Sequence, residues 1–247
     1  MTASLLRWYE REARELPWRR TRDPWAILVS EVMLQQTQAA RVVPYYERFL
    51  ARFPDPAACA EAPVADVLRT WSGLGYNRRA LALHRAAGVV AREGWPHDLA
   101  SLPGVGPYTA AAVASFAFGA AVLAVDVNVR RVLARSGLEV EPTPQLNQAL
   151  MELGATVCTA RAPRCSACPL ADGCDGPEEA AQGGPGRPRF EDTARYVRGR
   201  VVAALVAGEA LPEVGPERLA RALDGLERDG LIERSEGRIR LPGDTLG

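Results

Sequence analysis

Four of the chain's five cysteines fall within seventeen residues, CTARAPRCSACPLADGC, from Cys158 to Cys174. Their spacing is C-x6-C-x2-C-x5-C, and a fold that contains them must bring four thiols together in one loop. In a cytoplasmic chain, thiols this close point to metal binding rather than disulfides. Zinc and a [4Fe–4S] cluster both accept four thiolates. Zinc ribbons usually carry two C-x2-C pairs, and here only Cys165 and Cys168 have that spacing. The compact single loop, with Pro169 directly after the third cysteine, favours the cubane cluster. Cys59 lies apart in an Ala-rich segment and reads as a small buried residue.

The 157 residues before that loop read as helical. Helices are expected over residues 5–15, 23–41, 44–53, 64–70, 78–93, 127–136 and 145–158. Another should run from the Gly-rich turn at residue 104 to Gly119. Pro44 suits the first position of its helix, and PDPAA and EAP read as separators. Period-2 alternation is nearly absent before residue 190, so the fold class is mainly α. Residues 176–190 read as a Gly- and Pro-rich linker. Beyond it, helices over 193–207 and 216–229 precede LIERSEGRIRL, which alternates around Glu236-Gly237 as a hairpin does. The whole resembles a small winged helix over 191–247. No apolar run reaches the length of a membrane span, and no signal peptide opens the chain. A cytoplasmic address is therefore expected. All 30 basic residues are arginine, balanced by 30 acidic residues. With no lysine, Schiff-base chemistry through a lysine side chain is excluded.

Three further features carry chemistry. LPGVGPYTA, residues 102–110, places Gly104 and Gly106 in a turn whose amides and following helix can hold a phosphate. Asp126 follows an apolar run and opens the helix at Val127, where the plainest role is an N-cap. Glu31 lies in SEVMLQQTQ, sharing one helical face with Ile27 and Leu34. A carboxylate on an apolar face is costly unless paired or functional, and burial should raise its pKa towards neutrality.

The order of Gly turn, Asp and cysteine loop resembles the helix-hairpin-helix DNA glycosylases of the endonuclease III superfamily. LPWRRTRDPWAILVSEVMLQQTQAARVVPYYERFLARFP, LGYNRRALALHRAA, LPGVGPYTAAAVASFAFG and LNQALMELGATVCT are similar to MutY-type adenine DNA glycosylases. The Glu31-V-M-L-Q-Q-T run separates these from relatives. Endonuclease III places a lysine where this chain has Tyr108. The resemblance implies a six-helix barrel over about residues 22–130 and an iron–sulfur domain from 1–21 with 131–175. It makes Glu31, Asp126, Tyr108 and Asn128 catalytic, and Cys158, Cys165, Cys168 and Cys174 ligands of a [4Fe–4S] cluster. Gln36, Leu74 and Tyr76 would wedge into the duplex, with Leu34 and Gln35 beside them. Trp18, Arg19 and Gln148 would line the base pocket, with Arg14 nearby. Gly104, Gly106, Arg161 and Arg164 would meet phosphates.

The implied activity is monofunctional hydrolysis of adenine's N-glycosidic bond opposite 8-oxoguanine or guanine, by a monomer on double-stranded DNA in the nucleoid. Two departures bear on it. Asn77 stands where the family's LGYY motif has a second aromatic. The roughly 70 residues after Cys174 are too few for the Nudix-like domain that recognises 8-oxoguanine in full-length relatives. Removal of adenine opposite both guanine and 8-oxoguanine is therefore expected. Alternatives are a mismatch glycosylase acting on uracil, thymine or hypoxanthine, and an iron–sulfur DNA-binding regulator without catalysis.

Overall fold

The computed structural model describes residues 1–176, 189–235 and 237–244. Eleven α-helices and one short hairpin occur among them. The helices are α1 Thr2–Glu12, α2 Pro24–Leu34, α3 Ala39–Arg52, α4 Pro56–Glu61, α5 Val64–Trp71, α6 Arg78–Glu93, α7 Pro107–Phe118, α8 Val127–Ser136, α9 Pro144–Thr156, α10 Ala194–Ala207 and α11 Pro216–Arg228. Strands β1 Glu233–Ser235 and β2 Arg238–Arg240 pair antiparallel, with Arg234 opposite Ile239. The chain is mainly α, as its patterning implies, and no helix among the described residues is long and apolar enough to cross a membrane. The expected linker lies largely outside the described residues, as does Glu236 of the expected turn.

Helices α6 and α8 follow the sequence pattern residue for residue. Elsewhere the boundaries move for local reasons. The expected helix over 23–41 is two helices, because Gln36 adopts φ 58° and breaks the run after Leu34. Pro44 is not at a helix start but inside α3, where it forgoes one backbone hydrogen bond. The separator PDPAA is instead the start of α4. Asp55 caps it, its side chain accepting from the amide of Ala58 at 2.8 Å. Gly119 and Gly208 end α7 and α10 in the left-handed conformation, the favoured C-terminal device.

Packing gathers the chain into two compact units. One comprises Met1–Glu31 and the chain from Val105 through the cysteine loop. Its core sets Leu5 and Trp8 of α1 against Val129 and Val132 of α8 and Leu146, Leu150 and Leu153 of α9. The other comprises Val32–Gly104 and the C-terminal segment from residue 189 onward. There Phe49, Phe53 and Trp71 are fully buried, Phe49 meeting the Trp71 ring edge-on at 6.0 Å. These divisions fall inside α2 and the Gly turn. The C-terminal helices and hairpin pack with residues 32–104. Arg69 of α5 bonds Asp244 at 2.7 Å, and the amide of Ala65 bonds the carbonyl of Pro242 at 3.0 Å.

Candidate active site

Helix α2 is apolar on every side rather than along one stripe. Trp25, Ile27, Leu28, Val29, Val32 and Met33 are all at most 2% exposed. Glu31 is embedded in this helix at 5% exposure. Burial drives its carboxyl pKa from 4.5 up to about 7, and the negative field of Asp126 adds to the rise. A hydrogen bond with the Tyr108 phenol acts the other way. The second oxygen, Oε2, is buried without any hydrogen-bond partner. A carboxylate in that state carries the full cost of desolvation, so the neutral acid is favoured at that atom.

Tyr108 stands in the first turn of α7. Burial, together with the charges of Glu31 and Asp126, raises its pKa well above the usual phenol value, so it stays protonated. Its hydroxyl also lies 3.7 Å from the thioether sulfur of Met151. Asp126 does cap α8: Oδ1 accepts from the amides of Asn128 at 2.9 Å and Val129 at 2.7 Å. Its Oδ2 accepts from Asn128 Nδ2 at 2.8 Å. Asn128 Oδ1 accepts from Arg131 at 2.8 Å, and Arg131 continues to the carbonyls of Gly154 at 2.8 Å and Cys158 at 2.9 Å. Gly154 leaves room for this arrangement, since a Cβ there would come within 2.8 Å of Asn128 Cβ. Glu31, Tyr108, Asp126 and Asn128 are thus one group, although Glu31 and Asn128 stand 97 positions apart in the numbering.

Two supporting residues escaped the sequence reading. Asn147 is fully buried and uses its whole amide. It donates to Ser115 Oγ at 2.9 Å and the Val122 carbonyl at 2.8 Å, and accepts from the Ala124 amide at 3.0 Å. That fixes the segment leading to Asp126. Glu152 is likewise fully buried. It takes Arg14 as a fork at 2.7 and 2.9 Å and Arg19 at 2.6 Å. Burial pushes the Glu152 carboxyl up, but these arginines outweigh it and hold the pKa below the usual value. Arg14 and Arg19 are therefore anchored to an acid rather than free to face a base. Gln148 accepts from the Tyr9 hydroxyl at 2.7 Å, and Trp18 is buried. The available signal was a lone Glu among Leu146, Leu150 and Leu153 on the buried face of α9.

The four loop cysteines surround a cavity of about 80 Å³, together with Arg135, Pro163 and Arg164. Donors already point at the sulfurs: Arg135 lies 3.5 Å from Cys158 Sγ and the Gly176 amide 3.4 Å from Cys174 Sγ. A cubane takes one thiolate at each of four corners, and four thiols line this one cavity. The donor set fits the cluster. Arg161 is exposed, while Arg164 donates to the Thr156 carbonyl at 2.7 Å.

The remaining expected residues lie in the other unit, except Gly106, which caps α7 with φ −88° and needs no glycine-only conformation. Gly104 does, with φ 78°, and a Cβ there would strike Ala82 Cβ at 2.6 Å. Gln36 is exposed and Tyr76 half-buried; both adopt positive φ. Leu74 is only 4% exposed, so it packs in the core instead of projecting. Gln35 and Leu34 are half-buried.

Arg79 ties the two left-handed residues together. Its guanidinium donates to the carbonyls of Val32 at 2.9 Å, Met33 at 2.8 Å and Gly75 at 3.2 Å, and also to that of Gln35. It lies 5.0 Å from the Tyr76 ring centroid. Burial lowers its pKa to about 10, still charged at neutrality. Lysine offers a point charge instead of a planar fork. Arg79→Lys should therefore lower stability by about 2–3 kcal/mol, read from the urea midpoint at unchanged slope; a midpoint equal to wild type would show the fork to be dispensable.

Residues 29–155 match the HhH-GPD superfamily base excision DNA repair protein family. Residues 158–174 match the iron–sulfur binding domain of endonuclease III. The chain is 44% identical to the adenine DNA glycosylase of Mycobacterium tuberculosis, over 98% of this chain and 93% of that one. It is 43% identical to that of Mycolicibacterium smegmatis, over 97% and 95%. Against the human adenine DNA glycosylase it is 41% identical over 69% of this chain and 38% of the relative. Among solved structures, a thermostable thymine-DNA glycosylase superposes with TM-score 0.64 at 29% identity, over 70% of this chain and 93% of that one. A trapped endonuclease III–DNA covalent intermediate superposes with TM-score 0.59 at 26% identity, over 70% and 92%.

Proposed function

Because the chain belongs to the HhH-GPD superfamily of base excision DNA repair proteins, and within it to the adenine DNA glycosylases, we propose that it hydrolyses the N-glycosidic bond of adenine mispaired with 8-oxoguanine or guanine. The observation that carries this reading is the buried Glu31 carboxyl, titrating near neutrality with one unpartnered oxygen in the field of Asp126. A base must leave the stack before its glycosidic bond is reachable. Adenine then needs a proton on a ring nitrogen to become a competent leaving group. Protonated Glu31 supplies it through the atom that has no other partner. As the base departs, positive charge develops on the sugar, and the Asp126 carboxylate stabilises or traps it, following the two-carboxylate logic of glycoside hydrolysis. Glu31, now ionised, accepts the proton of the attacking water. Tyr108 steadies the ionised form by donating its hydroxyl.

Asn128 orients Asp126, while Trp18, Arg14, Arg19 and Gln148 act around the base pocket, the arginines through Glu152. Gln36 and Tyr76 are the duplex-facing wedge, flanked by Leu34 and Gln35, with buried Leu74 supporting them from beneath. Gly104, Gly106, Arg161 and Arg164 face phosphates. The four cysteines hold a [4Fe–4S] cluster, which braces the loop against α8 and α9. With no lysine in the chain, the strand is left uncut at the abasic site. The protein acts as a monomer on duplex DNA, and its helices divide functionally at about residues 22 and 130 between a base-handling barrel and a cluster domain.

A duplex panel tests the proposal. Adenine opposite 8-oxoguanine and adenine opposite guanine should be cleaved with single-turnover rates within about tenfold of each other. Uracil, thymine and hypoxanthine mispairs should be left intact. Exclusive cleavage of thymine or uracil would assign another base. Tight binding without release from any duplex would leave a DNA-binding regulator.

A further inference from the structure

The C-terminal segment and residues 32–104 together line a cavity two of whose arginines, Arg85 and Arg228, have no role above. It has a volume of about 430 Å³ and is lined by Gln35, Arg78, Arg79, Arg85 and Gly104 and, from the C-terminal segment, by Arg228 and Asp229. All of these belong to one compact unit. Arg78, Ala82 and Arg85 follow one face of α6, at helical spacing. Arg228 ends α11, and the turn behind it reaches Arg85: a Cβ on Gly230 would lie 3.6 Å from Arg85 Nη2.

The charge of this cavity is unbalanced. Four arginines face one aspartate in a chain of zero net charge. Asp229 is already engaged by Arg198, and Arg78 Nε stands 3.6 Å from it. Arg79 is committed to backbone carbonyls. Among the described residues, Arg85 and Arg228 have no hydrogen bond or ion pair. Like charges gathered around one hollow cost energy unless an anion enters, and a concave wall focuses their field. Guanidinium forks match phosphate oxygens in shape. No aromatic side chain lines the cavity, so nothing there can stack a base. These features select a backbone phosphate rather than a free nucleotide.

We propose that this cavity takes a phosphodiester group of bound duplex DNA, with Arg85 and Arg228 as its ligands, so that the C-terminal helices supply part of the DNA-gripping surface. The inference rests on the reading of the chain as a DNA glycosylase, but not on its base choice or chemistry.

The test is equilibrium binding of the full chain to an undamaged duplex between about 50 and 200 mM salt. Each phosphate contact contributes about 0.9 to the slope of log K against log salt. Arg85→Gln combined with Arg228→Gln should lower that slope by about 1 and weaken binding at low salt by at least about tenfold. Arg85→Lys with Arg228→Lys keeps both charges and should restore the slope. Arg221→Gln, which removes a charge that pairs with Glu217 elsewhere on α11, should leave the slope unaltered. A wild-type slope in the glutamine pair, an equal fall in Arg221→Gln, or a lysine pair that stays low would each overturn the proposal. So would displacement of the duplex by millimolar 5′-dAMP or inorganic phosphate at constant ionic strength, which would assign the cavity to a free anion. Because the duplex carries no mispair, a fallen slope with no base release from any substrate would defeat the glycosylase chemistry alone.

Discussion

Glu31→Gln should abolish base release, with a loss of about a thousandfold or more in single-turnover rate, while duplex binding is retained. Glutamine keeps the volume and one acceptor oxygen but cannot deliver a proton. The same substitution should change how stability depends on pH. The Glu31 carboxyl titrates near 4.5 when unfolded and near 7 when folded, so the folded chain holds that proton more tightly. Its contribution to stability is complete below about pH 4.5 and is lost as pH rises through about 7. At about 1.36 kcal/mol per unit, the difference amounts to roughly 3 kcal/mol. Urea unfolding of wild type and Glu31→Gln should therefore differ by about 3 kcal/mol more in the variant's favour at pH 8 than at pH 4.5. The rate of wild type should fall above pH 7 as the acid form is depleted. Retained base release in the variant would remove Glu31 from its role. A pH-independent stability difference would mean the carboxyl is solvated.

The parts of this molecule that could be read from its sequence are those whose cause is local. Helices α6 and α8 carry their own apolar spacing and caps, and the cysteine spacing announces a four-thiolate site because ligands in one loop must be near each other. The break after Leu34 was illegible because its cause lies elsewhere. Arg79, more than forty positions later, satisfies the carbonyls that a continuing helix would have used. A left-handed glutamine is uncommon, and no neighbouring residue announces it. Asn147 and Glu152 were missed for the same reason: each looks like a polar residue in a helix until its distant partners are known. Leu74 was read as a projecting wedge from its motif, yet its apolar side chain finds the core. Asp126 shows the opposite case. Its capping role was visible at once, whereas its nearness to Glu31 depends on the folding of separate helices into one unit.

That double identity makes Asp126 the second decisive site. Asp126→Asn should lower base release by about a thousandfold, because no negative charge remains to balance the sugar. Asparagine caps helices well, so the amides of Asn128 and Val129 keep their acceptor. The new side-chain amide, however, would face Asn128 Nδ2, donor against donor. Asn128 cannot simply turn over, since its own oxygen already accepts from Arg131. The variant should therefore lose about 1–2 kcal/mol of stability as well. Asp126→Ser separates the two effects. Serine caps the helix and is too short to confront Asn128, so its melting temperature should lie closer to wild type, with activity as low as in Asp126→Asn. Removing the charge also lifts one of the causes that raise the Glu31 pKa. Any residual rate should then decline with pH at a lower midpoint than in wild type, a shift that loss of a cap alone would not produce. If Asp126→Ser were fully active with an unmoved pH profile, the aspartate would be a helix cap and nothing more.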